Sequence, residues 1–364
     1  MKIFSADKIF TGEEWLTDHV IVINNGTVDS VVESSSNNSK VEKNNFPDCF
    51  IAPAFIDIQI YGAYDKLFAV FPEPATLKLM HQYCIAGGAV LHLPTVATNT
   101  KEVFIKAIDA VRDYWSQNGQ GVFGLHLEGP WLNKEKRGAH VAELIHAPTV
   151  SEVSELMNYG KGVIKMITIA PEVCSPEIIK LLKSYDIIIS AGHSNASFEE
   201  AVYAFDHHVD AVTHLFNAMS PLHHREPGMV GAVFAHKKIM ASIIADGYHV
   251  DFSAIGIAKK IMKERLFVIT DAVTETTEGF YKHAINVDKY ECNDTLSGSA
   301  INMHGSFLNL VNKVGIETGE ALRMCGLYPA QVLRCDKRYG KIAPGYAAQF
   351  LVFNKELQLV DVIL

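Results

Sequence analysis

The sequence predicts an α/β fold, a (β/α)8 barrel of the TIM type with a small β-sandwich domain built from both termini. Through the middle of the chain, apolar runs of strand length alternate with segments of helical spacing, whereas both ends carry only short strand-like runs. Alternation of this kind produces a parallel sheet with helical crossovers, and eight units are enough to close a barrel. An open, doubly wound sheet is the alternative that the same pattern allows.

The candidate barrel strands are eight apolar runs, at residues 55–60, 89–96, 121–127, 163–170, 186–191, 211–215, 240–245 and 266–270. Helical spacing separates most of them, over residues 75–86, 101–117, 176–185, 197–207 and 252–263. Barrels of this type carry their active sites at the C-terminal ends of the strands. Polar residues collect at those ends, namely Gln59, Glu128, His193, His214, Asp246 and Asp271.

The two ends of the chain have a different texture from its middle. Strand-like runs occupy residues 1–10, 20–23, 28–32, 350–353 and 360–364. An Asn-Gly pair ahead of the third run is a hairpin signal, and the serine- and asparagine-rich stretch at 34–40 predicts an exposed loop. We therefore expect a small β-domain of residues 1–52 and 336–364 beside a barrel of residues 53–335.

Length, charge and cysteine usage limit the class of protein. A chain of 364 residues suits one large domain or a barrel with a small attachment. The formal charge of −9 argues against a nucleic-acid or anionic-membrane partner. Six scattered cysteines form no CxxC pair and are typical of a reducing compartment. No apolar run reaches the ~20 residues of a membrane span, and no secretory signal is visible, so we expect a cytoplasmic protein.

A carboxylate at a strand end is the starting point for the chemistry. Glu128 follows an apolar run and precedes a Gly-Pro turn, so it is expected to be buried, where a lone charge is costly. His193 and His214 end later apolar runs, and one carboxylate with two imidazoles is a zinc-type ligand set that leaves a position for water. The alternative is that the histidines are hydrogen-bonded interior residues and that Glu128 pairs with a lysine or arginine.

Asp271 ends the eighth run and is the candidate acid and base. A carboxylate at this place can take a proton from water and return it to a leaving amine. Its alternative is a structural aspartate that is bonded to backbone amides.

Six motifs in order then make a specific resemblance visible: HLEGPWLNKEKRGAH, GHSNAS, THLFNAM, REPGMVGA, IIADGYHVD and VITDA. They are similar to the motifs of the N-acetylglucosamine-6-phosphate deacetylase family, which is part of the amidohydrolase superfamily. The resemblance runs from Ala52 to Gly345, nearly the whole chain. It implies a (β/α)8 barrel with a small β-domain, in agreement with the pattern of strands and helices.

The resemblance also implies an activity, the hydrolysis of the acetamide of N-acetylglucosamine 6-phosphate, and roles for the matching residues. Glu128, His193 and His214 match the family's metal ligands, and Asp271 matches its catalytic acid and base. His140 resembles the catalytic residue beside the acetamido carbonyl, where a donor stabilises the developing oxyanion. The matches to substrate-binding positions are Ala139, His140, Asn217, Ala218, Arg225, His249, Leu296, Ser297 and Gly298. In the family, the arginine that Arg225 matches reaches in from the neighbouring subunit, which implies a homodimer.

The sequence departs from the superfamily at the end of the first strand. A His-x-His pair often stands there and holds a second metal, but this chain has Gln59 and Tyr61. We therefore expect one divalent metal per chain, with Zn²⁺ as the first candidate and Fe²⁺, Co²⁺ or Ni²⁺ accepted by the same ligand set. The pair His223 and His224 has no assigned role, and His92 is expected to be a hydrogen-bonded residue that points into the barrel.

Two other functions stay open from the sequence. One is a deacetylase of N-acetylgalactosamine 6-phosphate or of another N-acyl substrate, because sugar epimers differ only in the orientation of one hydroxyl. The other is a non-catalytic barrel that acts as a scaffold, which the missing His-x-His pair favours and the retention of Glu128, His193, His214 and Asp271 disfavours.

Overall fold

The computed structural model describes residues 1–36, 43–287, 289–292 and 295–364. Its centre is a sheet of eight parallel strands that pair with one another in chain order. The strands are β1 (Phe55–Ile60), β2 (Ala89–Ala97), β3 (Leu125–Glu128), β4 (Ile164–Ile169), β5 (Ile188–Ala191), β6 (Ala211–Val212), β7 (Met240–Ile244) and β8 (Leu266–Ile269). Seven of the eight predicted runs contain one of these strands or match it to within one residue, and the run 121–127 overlaps β3, which begins four residues later. The prediction of eight barrel strands is confirmed.

Backbone hydrogen bonds join the ends of β1 and β8 and close the barrel. The amide of Tyr61 donates to the carbonyl of Ala272 over 2.8 Å, and the amide of Asp271 donates to the carbonyl of Gln59 over 3.0 Å. An open, doubly wound sheet has two free edges, and these bonds exclude it. The closing seam therefore lies beside two of the polar residues predicted at strand ends.

Helices follow the barrel strands and cover the sheet. Within the described ranges, the α-helices are α1 (Pro74–Ala86), α2 (Lys101–Ser116), α3 (Val150–Tyr159), α4 (Pro176–Lys183), α5 (Phe198–His207), α6 (Gly228–Ala235), α7 (Phe252–Met262), α8 (Met303–Asn309), α9 (Thr318–Cys325) and α10 (Leu327–Val332). The sequence predicted α1, α2, α4, α5 and α7. It missed α6 because that segment is apolar on every side and has no amphipathic period. None of the helices described combines the length and the apolar character that a membrane crossing requires.

The two termini share one sheet, as expected. Its strands are Lys2–Phe10, Trp15–Leu16, His19–Asn24, Thr27–Glu33, Lys43–Pro53, Phe350–Asn354 and Leu359–Ile363. The long strand Lys43–Pro53 pairs in parallel with the first of these and antiparallel with Phe350–Asn354, so it links the two ends of the chain. It runs almost directly into β1. We propose 1–52 and 336–364 as the bounds of this domain. Of the predicted loop at 34–40, residues Ser34–Ser36 form a 3-10 turn and the rest lies outside the described residues.

Two shorter sheets stand at the C-terminal ends of the barrel strands. A hairpin of Gly62–Ala63 and Lys66–Leu67 follows β1. A three-stranded antiparallel sheet follows β8, formed by Ala284–Asn286, Lys289–Cys292 and Thr295–Ser299. Both contribute to the wall of the cavity described below.

His92 differs from its prediction in one respect. It is fully buried in β2, as expected, but neither ring nitrogen has a hydrogen-bond partner among the residues that the structure describes. Its ring stacks on that of His81 in α1, with centroids 5.6 Å apart, so it faces the helix layer and not the barrel interior. Burial lowers the pKa of His92 to about 3, with a smaller contribution from His81.

This depressed pKa predicts a pH-dependent loss of stability that His92→Leu should remove. Below the ordinary value of 6.5, the unfolded chain binds a proton that the folded chain does not take up until about pH 3, so the free energy of unfolding falls as the pH falls. At pH 5 this site alone contributes a loss of ~2 kcal/mol. Urea midpoints at pH 7 and pH 5 should therefore differ less in His92→Leu than in the unsubstituted chain. The exposed His223→Leu serves as the control, and an equal pH effect in both variants contradicts the prediction.

Candidate metal centre and active site

The C-terminal ends of the barrel strands surround a cavity of about 350 Å³. This volume lies within the range of small-molecule sites. Every predicted site residue except Arg225 lines it: Glu128, Ala139, His140, His193, His214, Asn217, Ala218, His249, Asp271, Leu296, Ser297 and Gly298.

Three strand ends bring one carboxylate oxygen and two ring nitrogens together. Oε1 of Glu128 lies 3.4 Å from Nε2 of His193 and 3.2 Å from Nε2 of His214. The two ring nitrogens are 3.1 Å apart. Zinc bonds nitrogen and oxygen ligands at about 2.0–2.1 Å, so two tetrahedral ligands lie about 3.3 Å from each other. The three donor atoms therefore have the spacing of ligands to a single cation.

The position of the ring proton on His193 also suits a metal ligand. Its Nδ1 lies 2.9 Å from the backbone carbonyl of Lys136, which can only accept a hydrogen bond. The ring proton is therefore on Nδ1, and the lone pair of Nε2 points toward Glu128 and His214. Histidines that bind metals have this arrangement, because the second ring nitrogen donates to a carbonyl or carboxylate. The Glu/His/His cluster thus fits a divalent cation.

Glu128 carries a buried negative charge that histidines compensate. In the part of the chain that the structure describes, its ion-pair partners are His140, His193 and His214, and none is a lysine or arginine. Burial alone raises the pKa of Glu128, but the three imidazoles hold the pKa of that carboxyl well below its usual range. The alternative expectation, an ion pair of Glu128 with a lysine or arginine, is therefore not met among the described residues.

His140 is a second histidine close to the carboxylate. Glu128, His140 and His193 each present a ligand atom, and these atoms lie within 4.8 Å of one another. However, Nε2 of His140 faces the other oxygen, Oε2, at 3.3 Å. It therefore lies farther from the point shared by the Glu128, His193 and His214 donor atoms, and we prefer His214 as the third ligand.

The backbone turns each side chain toward this point. His193, His214 and Asp271 have φ angles of 48°, 34° and 55°, in the left-handed region that side chains other than glycine seldom adopt. Each such residue costs about 1–3 kcal/mol, a strain that clusters at functional sites in proteins. This turn also explains why β6 ends at Val212 and is shorter than its predicted run, since the extended backbone stops before His214.

Gln59 stands where a second metal ligand is often found, and its amide faces the two acidic groups. The hydroxyl of Thr213 donates to Oε1 of Gln59 over 2.6 Å, which fixes the orientation of the amide. Nε2 then lies 2.8 Å from Oδ1 of Asp271 and 3.1 Å from Oε1 of Glu128. An N–H donor directed at both carboxylates disfavours a second cation between them, as the mononuclear prediction requires.

Asp271 lies at the closing seam, buried at the end of β8. Burial raises the pKa of Asp271, while His214 lowers it and the negative charge of Glu128 raises it. One of its oxygens, Oδ1, is engaged by Gln59, so the other is available for proton transfer. The carboxyl group therefore has the position and the environment of an acid and base.

His140 is held by Thr98, a residue that the sequence analysis did not single out. Nδ1 of His140 lies 2.7 Å from the Thr98 hydroxyl, and Nε2 faces the acceptor Oε2 of Glu128. The proton of the neutral ring therefore sits on Nε2, and Nδ1 accepts from Thr98. Burial lowers the pKa of His140 to about 4, so the ring is neutral at pH 7, and its single N–H is directed at Oε2 of Glu128 beside the cavity.

Other predicted contacts line the remaining wall of the cavity. Asp246 accepts from Nδ1 of His249 over 2.6 Å and from two backbone amides of the same loop, which fixes that ring. Ser297 lies 3.0 Å from Nε2 of His283, and burial lowers the pKa of His283 to about 4. These residues, with Asn217, form a polar wall suited to a sugar or phosphate.

Arg225 is the exception. It lies on an exposed loop, where Nη1 donates to Nε2 of the neighbouring His224 over 3.1 Å. It does not line the cavity of its own chain. The backbone amide of Arg225 also donates to Nδ1 of His223 over 3.4 Å. Both histidines of the pair His223 and His224 are therefore hydrogen-bonded to Arg225.

Several residues that build the site were missed. Thr98 follows β2 and meets the same rule of polar residues at strand ends, so that signal was available. Glu172, after β4, accepts hydrogen bonds from Ser194, Asn195 and Asn133 and fixes the loop that carries His193. Tyr281, whose hydroxyl donates to the Thr98 carbonyl over 2.6 Å, lies in a segment with no periodic signal.

A closed (β/α)8 barrel with a carboxylate and two imidazoles at its strand ends is typical of metal-dependent hydrolases. The model of the amidohydrolase family matches residues 50–363, and the model of the NagA composite domain matches residues 6–46. The chain belongs to the amidohydrolase family.

Individual relatives agree with this assignment. An N-acetylglucosamine-6-phosphate deacetylase of Haemophilus influenzae is 32% identical, over 98% of this chain and 96% of its own length. An N-acetylgalactosamine-6-phosphate deacetylase of Escherichia coli O157:H7 is 27% identical, over 99% of this chain and 97% of its own length. The crystal structure of N-acetylglucosamine-6-phosphate deacetylase from Pasteurella multocida superimposes with a TM-score of 0.95 at 31% identity, covering 100% of this chain and 98% of that one. The resemblance carried by the six motifs is confirmed.

The donor geometry predicts that His193→Ala loses the metal. Removing one of three protein ligands leaves too few donors, so metal content should fall from about one ion per chain to nearly none. His283→Ala is the matched control, since His283 is also a buried histidine of the cavity wall but lies against Ser297. Elemental analysis of both purified variants measures the effect. Equal metal content in the two variants contradicts the ligand assignment.

Proposed function

We propose that this protein is a metal-dependent deacetylase that converts N-acetylglucosamine 6-phosphate and water into glucosamine 6-phosphate and acetate, in amino-sugar catabolism. The observation that carries the proposal is the spacing of the donor atoms of Glu128, His193 and His214 in the cavity that also holds Asp271. Support comes from the Haemophilus influenzae relative, whose name states this activity.

Each residue has a separate part in the proposed reaction. A divalent cation at Glu128, His193 and His214 supplies Lewis-acid chemistry, which lowers the pKa of water toward neutrality and polarises a carbonyl. Asp271 accepts the proton that water loses as its oxygen bonds to the acyl carbon. The Nε2–H of His140, which faces Oε2 of Glu128 at 3.3 Å, shifts to the carbonyl oxygen as negative charge develops there, while the Tyr61 hydroxyl still donates to Oε2. Asp271 then gives the proton to the sugar nitrogen as the C–N bond breaks, which releases the amine and acetate.

The sugar phosphate is proposed to occupy the rest of the cavity. Ala139, Asn217, Ala218 and His249 line one part of it, and Leu296, Ser297 and Gly298 of the strand Thr295–Ser299 line another. Backbone and side-chain donors at these positions suit hydroxyl and phosphate oxygens.

We propose one divalent cation per chain, with Zn²⁺ first and Fe²⁺, Co²⁺ or Ni²⁺ as alternatives, because a donor set of two imidazoles and a carboxylate accepts all four. We also propose that the protein is cytoplasmic, since its six cysteines are unpaired. A net charge of −9 favours neither nucleic acid nor a membrane surface as a partner.

A second candidate is deacetylation of N-acetylgalactosamine 6-phosphate. The Escherichia coli relative is named for that epimer, and so is one from Shewanella that is 33% identical over 86% of this chain. The two substrates differ in one hydroxyl, which a few hydrogen bonds of the cavity wall discriminate. The scaffold alternative loses its support, because the cavity assembles a complete set of acidic and imidazole groups.

Acetate release from both epimers tests the proposed function, with Asp271→Asn as the diagnostic variant. The unsubstituted chain should hydrolyse N-acetylglucosamine 6-phosphate with the higher kcat/KM of the two. Asp271→Asn keeps the shape but cannot accept a proton, so it should retain the metal while kcat falls by about 10²–10⁴-fold. Metal content of the same samples is the control. Full turnover in Asp271→Asn excludes its role, and a higher kcat/KM on the galacto epimer favours the second candidate.

We further propose that Arg225 serves the site of a partner subunit in a homodimer. The proposal is supported by its position on an exposed loop outside the cavity of its own chain. A guanidinium binds a phosphate through two parallel hydrogen bonds, which suits the 6-phosphate.

Complementation between two inactive variants tests this shared site. Arg225→Ala and Asp271→Asn chains, co-expressed with different tags, form hybrid dimers in which one site has both Asp271 and the partner's Arg225. Because one of the two sites in a hybrid is complete, doubly tagged dimers should show about half of the parental activity per dimer. The measurement is acetate release by doubly tagged dimers, with each variant alone as the control. Hybrids without activity show that Arg225 does not act across subunits.

A further inference from the structure

Tyr61 lies against the carboxylate of Glu128, where its hydroxyl acts as a hydrogen-bond donor and not as a metal ligand. Its side chain is buried, and its hydroxyl donates to Oε2 of Glu128. The same phenol oxygen accepts from Nε2 of Gln59 over 2.8 Å. The backbone of Tyr61 is fixed on both sides, because its amide donates to Ala272 and its carbonyl accepts from Phe68. The phenol is therefore held in place from several directions.

The two oxygens of Glu128 have separate partners. Oε1 faces His193 and His214, the other two candidate ligands. Oε2 receives the Tyr61 hydroxyl and lies 3.3 Å from Nε2 of His140. This division leaves Oε1 for the cation and binds Oε2 to the protein, so the carboxylate is set to coordinate through one oxygen.

The number of hydrogens on the Gln59 amide is consistent with coordination through Oε1 of Glu128. Nε2 carries two hydrogens but has three acceptors within reach, namely the Tyr61 oxygen, Oδ1 of Asp271 and Oε1 of Glu128. The contact with Glu128 is the longest of the three, at 3.1 Å against 2.8 Å for the others. Once a cation takes Oε1 of Glu128, two hydrogens remain for two acceptors. The network is then fully satisfied.

We propose that Tyr61 is a positioning residue of the metal centre, which anchors Glu128 through Oε2 and, linked by Gln59, ties it to Asp271. The pair Gln59 and Tyr61 thus joins these two carboxylates through hydrogen bonds. This inference rests on the metal centre of the proposed function and concerns how tightly that centre holds its ion.

Tyr61→Phe tests the proposal because it removes the hydroxyl and keeps the ring. Partners that orient a metal ligand contribute about 10–100-fold to metal affinity, so the dissociation constant for Zn²⁺ should rise by that factor. Competition with a chromophoric chelator measures it on metal-depleted protein, without any sugar present. The result therefore stands whether or not the acetamide of the proposed substrate is hydrolysed.

Tyr281→Phe is the matched control. Tyr281 is also a buried tyrosine of the cavity wall, and its hydroxyl donates to the Thr98 carbonyl and not to a carboxylate. Its metal affinity should stay within about twofold of the unsubstituted chain, because no ligand loses a partner. Thermal melting of the metal-depleted variants checks that both fold. Unchanged affinity in Tyr61→Phe, or equal weakening in both variants, overturns the proposal.

Discussion

A buried carboxylate that faces imidazoles is the constraint on which the rest of the cavity depends. A lone carboxylate inside a protein costs several kcal/mol, so Glu128 requires compensation. Two of the three histidines that converge on it are oriented by a fixed hydrogen bond, His193 by the Lys136 carbonyl and His140 by Thr98. A divalent cation satisfies the carboxylate and Nε2 of His193 and His214 together, and leaves His140 outside the ligand set. The surrounding loops can be understood as the support that keeps these donors at one point.

The position of the site could be predicted from the sequence, but its final shape could not. Parallel strands of a barrel bring their C-terminal ends to one face, so polar residues that follow apolar runs must meet there. The inward turn of His193, His214 and Asp271 depends on left-handed backbone, which no sequence pattern marks. His92 shows the same limit, because its burial was predictable and the direction of its ring was not. The helix Gly228–Ala235 was missed since an apolar segment has no helical period.

The cavity divides its tasks between two parts of the chain. Glu128, His193, His214 and Asp271 lie at the ends of barrel strands or in the short turns after them, which are rigid supports. Much of the remaining wall comes from segments that follow β8, including His283 and the strand that carries Ser297. Loops of this kind vary without disturbing a barrel, and they are where related enzymes change the substrates they accept. Discrimination between sugar epimers is therefore expected to reside in these later segments and not in the metal centre.

The closing seam has a consequence for a chain that is still being synthesised. Glu128, His193 and His214 all precede Asp271, and Gln59, which holds Asp271, is 212 positions away from it in the chain. A nascent chain that has left the ribosome as far as the turn after β6 already contains every candidate ligand. Asp271, the candidate acid and base, meets Gln59 only when β8 docks on β1. The candidate ligands are therefore all synthesised before the barrel can close, whereas the candidate acid and base is set in place by closure itself.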